Sequence, residues 1–120
     1  VRSSAASDVY KRQVYFNDGA VISCLGKIDI GENTLFGPGV KIFDNNHRFS
    51  REEGVSRECT AGCITVGRSC WIASDVVLLK GTDIGDNCVI GAGCIIRGKV
   101  PAGSLVTRSG EQTTRPIETR

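Results

Sequence analysis

The sequence predicts an all-β coil of short stacked strands, and three observations carry that prediction. Apolar residues recur every six positions, at Ile30, Phe36 and Ile42 and again at Val66, Ile72, Leu78, Ile84, Ile90 and Ile96. A small residue commonly follows, as at Gly31, Gly37, Gly67, Ala73, Gly85 and Gly91. Four places after every one of these apolar positions except Ile42 stands a compact residue: Thr34, Val40, Cys70, Val76, Thr82, Cys88, Cys94 or Val100. A helix repeats near every 3.6 residues and a flat strand alternates strictly, so a period of six fits neither. It suits a short strand followed by a sharp turn. Three such units close a triangular coil of about eighteen residues, and coils stack at about 4.8 Å to make each flat face a parallel sheet. The apolar residue fills the interior, the fourth residue on points inward near a corner, and glycine lets the backbone turn there.

The elements follow in order. Residues 1–13, VRSSAASDVYKRQ, have no periodicity and resemble a translated sequencing-adapter fragment. They are expected to be a non-native or disordered leader and are set aside from fold reasoning. The coil is expected over residues 14–106. Its period stops after Ile42, and FDNNHRFSREEGVSRECTAGC, residues 43–63, is polar, charged and aperiodic. This predicts a loop thrown out of the coil, the kind of segment on which functional residues concentrate. The period then holds from Val66 to Pro101. Residues 107–120 form a tail in which Gly110, Pro116 and the threonines favour a short strand or loop over a long helix.

Composition narrows the function classes. A chain of 120 residues supports one domain. A net charge of +2 is too weak to argue for nucleic acid or a membrane surface. No run approaches eighteen apolar residues and no secretory signal is visible, so no membrane span and a cytoplasmic location with reduced thiols are expected. Of the six cysteines, Cys70, Cys88 and Cys94 fall in the compact inward position. Cys24 is placed in the apolar register one unit before Ile30. These four are read as small buried hydrophobes. Cys59 and Cys63 could form half of a zinc site, but the single histidine, His47, and the lack of a second cysteine pair argue against a metal. No phosphate-binding loop or dinucleotide fingerprint occurs.

The stretches IGENTLFGPGVKIFDNNH and VGRSCWIASDVVLLKGTDIGDNCVIGAGCIIRGKVPAGSLV resemble the hexapeptide-repeat acyltransferases. Within them the chain is similar to the maltose, galactoside and surface-polysaccharide O-acetyltransferases. The resemblance covers roughly residues 17–106. It implies a single-stranded left-handed parallel β-helix, a hexapeptide-repeat solenoid with a protruding loop, and the handedness comes from the resemblance alone. It also implies a homotrimer with active sites between subunits. The implied reaction is transfer of an acetyl group from acetyl-CoA to a hydroxyl of a sugar or polysaccharide precursor, with no metal.

Particular residues follow from that resemblance. His47 stands at the start of the loop in an N-x-H context and takes the family's role of general base. Imidazole titrates near neutrality and suits that task. A carboxylate or carbonyl should orient its far ring nitrogen, and Asp44 is the sequence-local candidate, with Asp18 as rival. Asn17 and Trp71, with Asp18, are candidates for acceptor binding. Trp71, set between two inward positions, should point outward, over a ligand or a subunit contact. Ala73, Ser74, Gly91, Ala92, Arg97, Lys99 and Arg108 are candidates for holding coenzyme A. The basic residues among them would meet its phosphates, and a backbone N–H near Ser74 would receive the oxyanion. The tail VTRSGEQTTRPIETR departs from the family's usual V-G-N-P-A-K phrase. Two other readings stay open: a non-catalytic assembly module, and O-acetylation of a small acceptor such as serine.

Overall fold

The computed structural model describes residues 2–3 and 15–108. In chain order its strands are β1 (Arg2–Ser3), β2 (Tyr15–Phe16), β3 (Val21–Ser23), β4 (Lys27–Ile30), β5 (Leu35–Phe36), β6 (Lys41–Phe43), β7 (Asn45–Ser50) and β8 (Gly54–Ala61). They continue as β9 (Cys63–Val66), β10 (Trp71–Ile72), β11 (Val77–Leu78), β12 (Asp83–Ile84), β13 (Val89–Ile90), β14 (Ile95–Ile96), β15 (Lys99–Val100) and β16 (Leu105–Val106). Apart from β7 and β8, all of them pair in parallel and build three faces. Face I holds β2, β5, β10, β13 and β16; face II holds β1, β3, β6, β11 and β14; face III holds β4, β9, β12 and β15. From β2 onward the chain visits faces I, II and III in strict rotation, so each circuit is one triangular coil.

Side-chain alternation explains the core. In the two-residue strands the first side chain points out and the second in, so Phe36, Ile72 and Ile90 stack through face I while Ile42, Leu78 and Ile96 stack through face II. All are buried. Phe16 lies on Phe36 with ring centroids 4.4 Å apart. The compact inward residues are buried too, and the polar ones find partners: Thr34 Oγ1 donates to Gly67 O at 2.7 Å, and Thr82 Oγ1 to Ile96 O at 2.9 Å. A larger residue there would meet the facing strands, which is why the position is restricted. Corners demand left-handed backbone, carried by Asn33, Ser69, Asp75 and Asn87 as well as by glycines. Gly37 answers a different need, because a Cβ there would stand 2.6 Å from Ser74 N of the next coil.

The register measures the coils. Trp71 pairs with Val89 and Val77 with Ile95, eighteen residues apart. Leu35 pairs with Trp71, thirty-six apart, so residues inserted between β6 and β9 leave the stacking undisturbed. Tyr15 pairs with Leu35, twenty apart, so the first coil carries two extra residues. These lie at the corner around Leu25 and Gly26. That corrects the reading of Cys24. It is buried, but Ile22 is the residue in register with Ile42, and Cys24 occupies the enlarged corner beyond it.

The excursion over residues 43–63 is more ordered than an irregular loop. It is a two-stranded antiparallel hairpin, β7 against β8, with a register shift between His47 and Phe49. Its side chains are mostly exposed, so the hairpin contributes no apolar period that sequence patterning could detect. Of the expected leader, Arg2 and Ser3 pair with Val21 and Ile22, and residues 1 and 4–13 lie outside the described residues. Of the expected tail, residues 109–120 likewise lie outside them.

Candidate active site

His47 projects from β7, and its cross-strand partner is Cys59 on β8. Its Nδ1 lies 2.9 Å from Ser56 O. A carbonyl can only accept, so Nδ1 carries the proton and the lone pair resides on Nε2. The exposed ring therefore presents a basic nitrogen, held by a backbone carbonyl across the hairpin. Cys59 Sγ stands 3.6 Å from the same Nδ1.

Asp44 is placed differently from its expected role beside His47. Its side chain is fully buried, with Oδ1 accepting from Leu25 N and Oδ2 from Gly26 N, both at 2.8 Å. Asn45 Nδ2 adds a third contact at 3.0 Å. The carboxylate thus satisfies the N–H groups exposed by the two extra residues of the first coil. Burial alone would raise its pKa. The Leu25 N–H, the Asn45 amide, the Gly26 N–H and the Cys24 thiol outweigh that and hold it below the usual carboxylate range. The inward direction was readable in principle, since Asp44 follows Ile42 by two as Cys24 follows Ile22.

The same corner anchors the hairpin. Asp44 N donates to Ser23 O at 3.2 Å and Gly62 N to Asp44 O at 2.8 Å. A Cβ on Gly26 would collide with Gly62 O. Lys80 reaches from the next coil to donate to Thr60 Oγ1 at 2.9 Å, one cross-strand pair from His47 and Cys59. Ser56, Cys59, Thr60 and Lys80 were invisible as a group in the sequence, because their meeting depends on the hairpin register.

The remaining candidates separate onto different edges of the triangle. His47, Asp44 and Arg97 belong to the edge between faces II and III, and Lys99 lies beside it on face III. Asn17, Asp18, Ala73, Ser74, Gly91 and Ala92 line the edge between faces I and II. They are tied there by Asn17 Nδ2 donating to Phe36 O (3.1 Å), Gly39 N to Asp18 O (3.0 Å), Ala73 N to Ile90 O (2.9 Å) and Gly93 N to Ser74 O (3.0 Å). The Arg108 guanidinium lies over Gly93 at that edge. Trp71 points outward and is 54% exposed, between Leu35 and Val89 on the outer ladder of face I. Within one chain the His47 group and the Ser74 group are not brought together. Among the described residues, no group of three or more His, Cys, Asp or Glu side chains could hold a metal ion.

The family model described as bacterial transferase hexapeptide (six repeats) matches residues 63–98, the uninterrupted coils. The chain thus carries hexapeptide repeats on a β-helix and is similar to the hexapeptide-repeat acyltransferases. Galactoside O-acetyltransferase of Escherichia coli (strain K12) is 37% identical over 109 residues, covering 91% of this chain and 54% of that relative. A protein of the same strain, assigned provisionally to lipopolysaccharide biosynthesis O-acetyl transfer, is 28% identical over 106 residues, 81% of this chain and 54% of its own length. A crystal structure of a maltose O-acetyltransferase from Clostridium difficile 630 superposes with a TM-score of 0.57 at 22% identity, covering 87% of this chain and 59% of that one. That likeness supports the fold of this hexapeptide-repeat protein. The chain spans about half the length of the curated relatives it matches.

Proposed function

We propose that this hexapeptide-repeat protein transfers an acetyl group from acetyl-CoA to a hydroxyl of a sugar or polysaccharide precursor, with His47 as general base. The supporting observation is the Ser56 carbonyl on Nδ1, which leaves Nε2 as the proton acceptor. Nε2 takes the acceptor's hydroxyl proton, the oxygen attacks the thioester carbonyl, and coenzyme A leaves as the thiol. A backbone N–H receives the oxyanion charge. The names of the O-acetyltransferase relatives support the acetyl donor and the saccharide acceptor.

Active sites lie between subunits of a homotrimer. The separation of the His47 edge from the edge holding Asn17, Asp18, Ala73, Ser74, Gly91, Ala92 and Arg108 favours this reading, since a second copy can bring the two together. Leu35, Trp71 and Leu105, exposed in one ladder on face I, supply apolar surface for such a contact. Coenzyme A runs along the glycine-rich edge, with Arg108 nearest and Arg97 and Lys99 contributed from the other edge. Trp71 borders the acceptor. The test is thiol release from acetyl-CoA over a panel of sugars. His47→Ala should lower kcat by roughly 10²- to 10⁴-fold and leave coenzyme A affinity nearly unchanged. Equal kcat in the variant overturns the assignment of His47.

A further inference from the structure

We propose that Lys80 is a positioning residue: from the coil that follows the hairpin it braces β8 and so fixes where the His47 ring stands. Its effect on acetyl transfer rests on the function proposed above; the bracing of the ring does not.

The hairpin has little apolar packing to hold it, because its side chains are mostly exposed. Its two ends are fastened toward the first coil. Asp44 N donates to Ser23 O, Asn45 Nδ2 donates to Ser23 O at 3.2 Å and Ser23 Oγ at 3.1 Å, and Lys27 N donates to Gly62 O at 3.3 Å. From the other side comes Lys80, whose Nζ donates to Thr60 Oγ1 at 2.9 Å. Two features distinguish this bond from a chance surface contact. The backbone around Lys80 is fixed, with Leu79 N donating to Ile96 O at 2.9 Å, Gly81 N to Cys63 O at 3.1 Å and Thr82 Oγ1 to Leu79 O at 2.6 Å. The Lys80 stem also lies across Gly62. A Cβ added to Gly62 would stand 2.6 Å from Lys80 Cγ and 3.1 Å from Cδ, whereas its next neighbour, Asp44 O, is 3.8 Å away. A lysine whose stem is already seated loses less freedom when its ammonium bonds.

Thr60 is opposite Asn46, the pair next to His47 and Cys59. Successive side chains of a strand point to opposite faces, so the Lys80–Thr60 bond and the His47 ring belong to opposite faces of the hairpin. Lys80 therefore leaves the ring's side open to substrate and acts through β8, the strand that presents Ser56 O to Nδ1. Ser56 and Thr60 are the two half-buried residues of β8. One carries the ring's carbonyl partner and the other takes the brace. Displacing a catalytic base by about 1 Å can cost about 10²-fold in rate, so a brace outside the reacting centre is felt in kcat.

The experiment compares full chains carrying Lys80→Met, which keeps the stem and loses the ammonium, Thr60→Val, which loses the acceptor, and Gly62→Ala, which crowds the stem. His47 is the only histidine, so chains labelled with ¹⁵N-histidine give one pair of ring-nitrogen signals. In alkaline buffer the wild type should show a protonated Nδ1 and a bare Nε2, and each variant should move the two signals toward each other as the ring leaves Ser56 O. Acetyl transfer should fall roughly 10- to 100-fold in kcat, with KM for acetyl-CoA within about twofold of wild type. Lys80→Met and Thr60→Val combined should lose no more than either alone, because both break one bond. Ring signals unchanged in all three variants overturn the proposal. So does a raised KM for acetyl-CoA with kcat intact, which makes Lys80 a phosphate contact, or a double variant whose loss is the product of the single losses. If the wild-type chain transfers no acetyl group, the proposed function fails while the ring signals still decide this inference.

Discussion

Replacing Asp44 with Asn changes one atom in a fully buried group and tests how the hairpin is held. In the native chain both carboxylate oxygens accept backbone N–H groups at 2.8 Å, from Leu25 and Gly26. An amide supplies one acceptor and turns a donor toward the other N–H. That leaves a part-buried N–H facing an NH₂ group and removes the charge from the surviving bond. A buried donor left unsatisfied costs about 1–3 kcal/mol, and these N–H groups are only part-buried, so Asp44→Asn should destabilise the protein by about 1 kcal/mol at neutral pH. The effect has a sign in pH. Because the folded state holds the Asp44 pKa down, its contribution is present above the unfolded value, near about 3.9, and disappears as pH falls through the lower folded value. Urea unfolding of both chains at fixed protomer concentration, at neutral pH and again well below pH 4, reads the difference directly. The gap between wild type and Asp44→Asn should narrow on acidification. A variant as stable as wild type at neutral pH, or a gap unchanged by acid, would refute the account of Asp44 as the clamp of the enlarged corner.

Three further outcomes are expected. Gly37→Ala places a Cβ 2.6 Å from Ser74 N of the adjoining coil, so the coils must separate locally; thermal unfolding should show a clearly lowered midpoint, and an unchanged one would contradict the close approach. Phe36→Ala removes a fully buried ring stacked on Phe16 and should cost about 3–5 kcal/mol in denaturant unfolding. Trp71→Arg places a charge in the exposed ladder of face I; sedimentation equilibrium should show weakened self-association while circular dichroism stays near that of wild type. A Trp71→Arg chain that assembles as wild type does would remove face I from the proposed subunit contact.

Much of the fold was legible because a solenoid repeats one local solution. Each six-residue unit must bury one apolar side chain, turn a corner and tolerate a compact inward residue, so the pattern of Val66, Ile72, Leu78, Ile84, Ile90 and Ile96 writes the coil into the chain. The outward direction of Trp71 followed from the inward positions on either side. His47 was marked by being the only histidine, placed where the period breaks. What the sequence could not specify was contact between distant segments with no period of their own. Asp44 was read as the partner of His47 because it is close along the chain, but two residues inserted near Leu25 created unpaired N–H groups that its carboxylate satisfies. The ring's partners, Ser56 and Cys59, are nine and twelve residues away and meet it only through the antiparallel register of a mostly exposed hairpin. Sequence by itself determined the coil, since burial of a repeated side chain is a local demand repeated along the chain. The setting of His47 was decided by tertiary structure, because hydrogen bonding across the hairpin and at the enlarged corner depends on which strands come to lie side by side.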